Sequence, residues 1–115
     1  MFDFQKLDVY QKAKAFHSTN KTTIRDYKVD PISKNQLSRA SLSVPLNIAE
    51  GAGKFTKPDK RKFYIIARAS LFECVAILEI LRDEEVISGT VYDSSEKEAE
   101  NLSRMLFTMI RNLER

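Results

Sequence analysis

The middle of the chain reads Leu42-Ser43-Val44-Pro45-Leu46-Asn47-Ile48-Ala49-Glu50-Gly51-Ala52-Gly53-Lys54. This stretch combines a proline, regularly spaced polar residues and two closing glycines. On a helix of about 3.6 residues per turn, five polar residues share one side, within about 80° of one another. They are Gln36, Arg39, Ser43, Asn47 and Glu50. The spacing predicts a bundle helix with a polar stripe rather than an enzyme pocket.

The same helix carries two separate apolar strips. The first faces away from the polar stripe, and the second lies beside it. Their members are Leu37, Ala40, Ser41, Val44 and Ile48 in the first strip, and Leu42, Leu46 and Ala49 in the second. Two strips indicate two packing partners. One is the chain's own bundle, and the other is either a neighbouring subunit, which we favour, or another part of the same chain.

The polar stripe itself has two interpretations, and its central members are Arg39, Ser43, Asn47 and Glu50. A guanidinium, an amide and a carboxylate at a boundary between helices can satisfy one another and the backbone groups that Pro45 leaves free. We therefore interpret the stripe as structural contacts that fix helix register. A ligand site is the alternative.

Length and composition indicate a single domain spanning residues 1–115, large enough to fold without disulfides or metal. The one cysteine, Cys74, has no partner in the chain, which excludes an intramolecular disulfide framework and favours a reducing cytoplasm. The N-terminus lacks a basic region followed by an apolar core, and no run approaches about 20 apolar residues. We expect a cytoplasmic protein that neither enters nor crosses a membrane.

Hydrophobic periodicity predicts four helices joined by short links. The first helix is expected from about Asp8 to Ile24, frayed by the polar run at 20–23, and the second opens at Pro31 or Ser33. The third should run from about Pro58 to Glu85 and is apolar almost all round. The fourth follows Ser88-Gly89. The fold class is all-α, an antiparallel up-down-up-down four-helix bundle.

Two local details of the second helix follow from its unusual residues. Pro45 lies within the helix, where it removes one backbone hydrogen bond, so we expect a kink between Ser41 and Pro45. Gly51 and Gly53 are expected to provide a left-handed cap and the turn that ends the helix.

Catalytic chemistry has little support in this chain. The lone histidine, His17, is typical of a packing or surface residue, and a cysteine within an aliphatic helix is usually inert. Gly51-Ala52-Gly53-Lys54 lacks the preceding strand and the Lys-Ser/Thr ending of a phosphate-binding loop. No Glu-x-x-His pair is present for a di-iron bundle. We therefore expect no enzyme, no metal site and no cofactor.

Basic residues are concentrated between positions 54 and 68, which hold six Lys or Arg and one Asp. Residues 69–115 carry the opposite excess, with ten Asp or Glu against five Lys or Arg. Dense cations neutralise phosphates, and neighbouring aromatics such as Phe55, Phe63 and Tyr64 can stack on unpaired bases. The alternative is a solvated helix start with Phe63 and Tyr64 in the core. The candidate nucleic-acid-binding residues are Lys54, Lys57, Lys60, Arg61, Lys62 and Arg68.

The motif around Pro45 also resembles that of a known protein family. The segment Ser38-Arg39-Ala40-Ser41-Leu42-Ser43-Val44-Pro45-Leu46-Asn47-Ile48-Ala49-Glu50-Gly51 resembles the hallmark of the four-helix-bundle family of 23S rRNA-intervening-sequence proteins. The likeness covers most of the chain. It continues through 53–54, 63–67, Arg68-Ala69-Ser70-Leu71-Phe72-Glu73 and Met105-Leu106-Phe107-Thr108-Met109-Ile110, with Leu7-Asp8-Val9-Tyr10 similar to the family's first helix.

The resemblance implies a small bacterial protein that assembles as a ring-like homopentamer and is encoded, in some members, within inserts of ribosomal RNA genes. The family is also similar to the accessory proteins of diversity-generating retroelements, which contact a reverse transcriptase and nucleic acid. Our first hypothesis is a non-enzymatic homo-oligomer that binds structured RNA, such as ribosomal RNA, or a ribonucleoprotein through the basic segment. The second is a protein-interaction adaptor that docks a partner enzyme such as a reverse transcriptase.

Overall fold

The computed structural model describes residues 1–114, which form four helices and a short N-terminal 3-10 helix at Asp3–Lys6. The helices are α1 (Asp8–Asp26), α2 (Pro31–Ala52), α3 (Lys57–Asp83) and α4 (Gly89–Asn112). No strand occurs within this part of the chain. Each of α1 and α3 packs against both α2 and α4, with α2 and α3 in the closest association. The predicted antiparallel four-helix bundle is confirmed.

Three of the helices begin at residues whose side chains cap the backbone. Asp30 Oδ1 accepts a hydrogen bond from Ser33 N at 2.9 Å, and Pro31 follows at the first helical position, as predicted. Thr56 caps α3 and Ser88 caps α4 in the same way. These side chains satisfy backbone N–H groups that have no partner within the helix, so they fix where each helix starts.

The core runs along the axis of the bundle and receives large side chains from all four helices. In α3 the buried line is Tyr64, Ala67, Leu71, Cys74, Leu78 and Leu81. Three other residues of this helix, Phe63, Ser70 and Ile77, are only partly buried. An apolar sequence almost all round the helix is therefore resolved into one buried side and one partly exposed side. The fully buried large side chains include Phe16, Leu37, Ile48, Leu71, Leu78, Leu81, Leu102 and Leu106.

The expected fraying of the first helix at residues 20–23 is wrong. Asn20 is fully buried, and its Nδ2 donates to Phe16 O at 2.9 Å. Thr23 is also buried and donates to Thr19 O at 3.2 Å. Each side chain finds its acceptor one turn back in its own helix, so α1 continues to Asp26 despite its polar sequence.

The glycine prediction at the end of α2 is also wrong, because no glycine within residues 1–114 has a positive φ angle. Gly51 lies inside the helix, and Gly53 follows it with φ of −83°. Position 51 holds a glycine because the ring of Tyr64 occupies the space that a side chain would need. A Cβ atom there would lie 2.7 Å from Cε1 and 2.9 Å from Cδ1 of Tyr64, so the missing side chain admits the α3 ring.

Pro45 is buried inside α2, and the helix runs without interruption from Pro31 to Ala52. The bend that we expect near this proline stays a prediction. Within residues 1–114, no helix combines the length and apolar character needed to cross a lipid bilayer.

Candidate nucleic-acid interface

The fold gathers five of the six candidate basic residues at one end of the bundle. Lys54 lies in the turn that joins α2 to α3, and the next four lie in the first turns of α3. Lys60 Nζ reaches back across this turn and donates to Ala52 O at 2.9 Å. The basic end, as we call this region, comprises Lys54, Lys57, Lys60, Arg61 and Lys62.

Aromatic contacts hold two of these lysines. Lys54 Nζ lies 5.0 Å from the centre of the Phe63 ring, and Lys62 Nζ lies 5.9 Å from the same ring. A cation over an aromatic face is attracted by the ring's quadrupole while its remaining side stays available to an anion. The Phe63 ring therefore makes cation–π contacts with two ammonium groups and does not present a free surface for stacking.

The other two aromatics of the basic segment differ sharply in exposure. Tyr64 is only 6% exposed and belongs to the core, where burial raises the pKa of its phenol. A stacking role for Tyr64 is therefore wrong, as the alternative interpretation of the sequence had anticipated. Phe55 is fully exposed at the tip of the α2–α3 turn, next to Lys54 and Lys57. It is the aromatic side chain of this segment that can stack on a base.

Both arginines of the candidate set are engaged by α4. Arg61 Nη2 lies 3.0 Å from Glu114 Oε1 in an ion pair. Arg68 lies about two turns after Arg61 along α3, and its Nε donates to Ser103 O of α4 at 3.3 Å. Arg61 is thus partly neutralised, and Arg68 lies apart from the lysines.

Folding also brings to this end residues from the N-terminus of the chain, which the basic segment alone does not predict. The 3-10 helix at Asp3–Lys6 packs against α1 and α2, and Phe2 lines a cavity of about 400 Å³ together with Ala52 and Gly53. Lys6 is exposed at the end of this short helix. About 50 residues separate these side chains from the basic segment, and no local spacing rule connects positions so far apart.

The electrostatics of the basic end suit an anion. The first N–H groups of α3 are directed out of its N-terminus, where the helix dipole places a partial positive charge. Four lysines lie within the turn and the first turns of the helix. Asp59 in the first turn of α3 and Asp3 in the 3-10 helix oppose them, and Glu114 pairs with Arg61. The lysines outnumber these carboxylates, so the balance of charge at this end is positive.

The polar stripe of α2 divides into two parts. Ser43 Oγ is 2.8 Å from Ser70 Oγ of α3, and Asn47 Nδ2 donates to Ser43 O at 2.8 Å and to Ser43 Oγ at 2.9 Å. The contact between Ser43 and Ser70 ties α2 to α3, whereas the Asn47 bonds lie within α2. Arg39 and Glu50 are exposed and take no part in this network.

A shallow polar groove of about 400 Å³ lies between α2 and α3 beside this network. Its lining brings Arg39 of α2 and Glu73 of α3 to one groove, with Ser43 and Ser70 between the helices. The groove is the place where a ligand could meet the stripe. Its two serines bond to each other, and its exposed polar lining consists of Asn35, Gln36, Arg39 and Glu73.

The two reactive side chains of the chain, Cys74 and His17, have different surroundings. Burial raises the pKa of the Cys74 thiol to about 12, so the thiolate is scarce at neutral pH. His17 Nδ1 lies 2.7 Å from Ser41 Oγ, and burial lowers the pKa of its imidazole. Within residues 1–114, no three His, Cys, Asp or Glu side chains cluster closely enough to bind a metal ion.

Comparison with known proteins adds a family match and a solved structure. The family model described as 23S rRNA-intervening sequence protein matches residues 5–108. A crystal structure of a protein of unknown function from the S23 ribosomal protein family of Bacteroides thetaiotaomicron superposes with a TM-score of 0.85. It is 21% identical, and the alignment covers 89% of this chain and 97% of that one. No curated protein gives a significant match.

Proposed function

The chain belongs to the 23S rRNA-intervening sequence protein family, and from that premise we propose that it binds structured RNA, or a ribonucleoprotein, through its basic end. The protein acts as a non-enzymatic homo-oligomer. Ribosomal RNA is the first candidate ligand, because the family's name refers to the RNA insert. A bacterial source, five subunits and a cytoplasmic location belong to the same proposal.

One observation carries this proposal, the position of Phe55. A phenylalanine that is 101% exposed contributes nothing to the core and places a complete aromatic face in water. It lies between Lys54 and Lys57 at the tip of a turn. An aromatic face bordered by ammonium groups can stack on an unpaired base while the lysines contact the flanking phosphates.

Assembly would strengthen a modest site. One basic end offers a few lysines, and a surface of this kind binds RNA weakly at physiological salt. Several copies in one particle convert later contacts into intramolecular ones, which raises the overall affinity if a single RNA spans two or more sites.

We propose a protein without enzymatic activity because of the surroundings of its two reactive side chains, Cys74 and His17. Cys74 is buried and its thiol has a raised pKa, whereas His17 pairs with the hydroxyl of Ser41. Ser41 is itself fully buried, so a substrate does not reach the hydroxyl that His17 contacts.

The experiment is a fluorescence-anisotropy titration of the protein with a structured ribosomal RNA fragment and with a duplex DNA, from low to physiological salt. We expect RNA binding that persists near physiological salt and exceeds the binding of DNA. The double variant Lys57→Glu with Lys62→Glu should then lower the steepness of the salt dependence by about 1.5, since each phosphate contact contributes roughly 0.7 to 0.9.

A matched control separates a local site from general charge. Lys28→Glu with Lys34→Glu makes the same change in net charge at exposed positions of the opposite end of the bundle. It should leave the salt dependence and most of the affinity unchanged. Equal losses for both double variants would show that the basic end is not a site. Binding that vanishes with modest salt, or is equal for RNA and DNA, would favour the adaptor function with a partner enzyme.

The stacking role of Phe55 has its own variant. Phe55→Ala should weaken RNA binding roughly 5- to 150-fold, because stacking of one base is worth about 1–3 kcal/mol. Phe55→Trp should retain it. An unchanged affinity for Phe55→Ala would remove the observation on which the proposal rests.

A further inference from the structure

A long apolar groove lies on the outside of the bundle between α3 and α4. Its floor includes Ile65, Phe72 and Phe107, which are 42%, 50% and 50% exposed, respectively. Two adjoining cavities of about 360 and 390 Å³ share Phe72, so the groove is continuous along several turns. Ala69 and Ala76 are also exposed on this side of α3. A stripe of this kind on a small bundle is typical of a protein contact.

A second exposed apolar strip lies on α2. Leu42 and Leu46, which the sequence placed on the second strip of that helix, are 44% and 56% exposed. No other part of the described chain covers them. The alternative that this strip packs within its own chain is therefore wrong, because α1 and α3 contact the other sides of α2.

The charges beside the two strips are complementary in sign and in spacing. Along α2, Arg39 precedes the leucines and Glu50 follows them, 11 residues or about 16 Å apart. Along the groove, Arg68 precedes Phe72 and Glu79 follows it, at the same separation. The order of charge is the same along both helices. Opposite charges therefore meet only when the two helices lie antiparallel.

In that antiparallel register the apolar residues match as well. With Arg39 facing Glu79 and Glu50 facing Arg68, Leu46 falls opposite Phe72. Leu42 then falls opposite Ala76, where the small side chain leaves room for a leucine. Charge and shape select the same register.

From these observations we infer that the α3–α4 groove binds α2 of a second copy of this chain, antiparallel to α3, with Leu42 and Leu46 over Phe72 and Ala76. The contact joins two different surfaces of the same molecule, so it is head-to-tail and extends into a closed ring when its rotation closes. The inference rests on the assembly part of the proposed function and supplies its interface.

The aromatic floor of the groove is already organised to receive this helix. The Arg68 guanidinium lies 4.7 Å from the centre of the Phe72 ring and 5.6 Å from that of Phe107. Its contacts with both rings hold them in place, while its charge stays at the edge of the groove. Glu79, Glu96 and Glu100 line the other half, and their negative charge opposes the binding of RNA along the groove.

The experiment measures particle mass by sedimentation velocity over a range of concentrations. The wild-type protein should sediment as a multiple of 13.2 kDa. Leu46→Asp should shift it to the monomer, because the aspartate would have to be buried against Phe72. Ile32→Asp is the matched control, since this residue is on the same helix, is 74% exposed and lies outside both strips. It should leave the mass unchanged.

Charge exchange tests the register. Arg39→Glu alone and Glu79→Arg alone should each weaken assembly, and the double variant should restore it, because every interface then pairs the exchanged charges. Circular dichroism checks that each variant stays helical. An assembly that survives Leu46→Asp and both single exchanges would overturn the inferred interface while leaving the RNA proposal intact. Loss of RNA binding by these variants at unchanged mass would likewise overturn it in favour of RNA in the groove.

A monomeric wild-type protein would overturn both the interface and the assembly part of the proposed function. The RNA titration decides the remaining part separately, because a single basic end is present in the monomer. The two failures are therefore distinguishable.

Discussion

Replacement of Gly51 by alanine tests the close contact between α2 and α3. The added Cβ would lie 2.7 Å from Tyr64 Cε1 and 3.1 Å from Phe63 Cβ, both closer than ordinary van der Waals contact. Tyr64 is buried, so its ring has little room to move away. Overpacking of this kind costs about 1–3 kcal/mol, whereas alanine gains up to about 1 kcal/mol over glycine in a helix interior. We expect a net destabilisation of about 1–2 kcal/mol.

Gly53→Ala provides the matched control. A Cβ at position 53 would meet only Glu50 O at 3.6 Å and Ala49 O at 3.8 Å, and the φ angle of −83° suits alanine. This variant should be unchanged or more stable by about 0.4–1 kcal/mol, because alanine reduces the freedom of the unfolded chain. The two substitutions are chemically identical, and only Gly51→Ala should destabilise the protein.

Urea denaturation followed by circular dichroism measures both variants, at equal protein concentration because assembly adds to apparent stability. Tyr64→Leu supplies the second test, since it removes the ring atoms that the new Cβ meets. Gly51→Ala should cost less in that background, with a coupling of about 0.5–2 kcal/mol. A Gly51→Ala protein as stable as the wild type, with no coupling to Tyr64, would refute the explanation of this glycine.

Two further predictions concern titratable groups. Cys74, with a pKa of about 12, should react with iodoacetamide at pH 8 roughly a thousandfold more slowly in the native protein than after unfolding; equal rates would contradict its burial. Burial raises the pKa of Glu98, which accepts a hydrogen bond from Thr19. The fold therefore favours the neutral carboxyl, and its stabilising contribution is present below the ordinary pKa and lost as pH rises through the raised value. Glu98→Gln should accordingly increase the urea midpoint at pH 7 more than at pH 4, and a larger increase at pH 4 would reverse this conclusion.

The architecture was accessible from local patterns in the chain. The helix start at Pro31 follows from capping chemistry, which depends on residues only a few positions apart, and α3 begins at Lys57, one residue before the predicted Pro58. The four periodic segments and the motif around Pro45 gave the bundle and the family. The polar run at 20–23 misled the prediction, because its side chains bond to their own helix where a loop was expected.

The candidate interface was predictable only in part. The density of lysines between residues 54 and 62 is visible in the sequence, and so is Phe55 among them. Whether a basic side chain of this segment has a partner depends on residues that are far away in the sequence. Arg61 meets Glu114 across 53 positions, and the carbonyl of Ser103 holds Arg68 across 35.

The sequence by itself determined that this protein is a helical bundle with an apolar excess on two of its helices, because periodicity and capping are properties of neighbouring residues. Tertiary structure decided the rest. The rotation of α3 chose Tyr64 and Leu71 for the core and left Ile65 and Phe72 outside. That rotation depends on how all four helices fill the interior together, since several orientations of so apolar a helix satisfy its local pattern equally well.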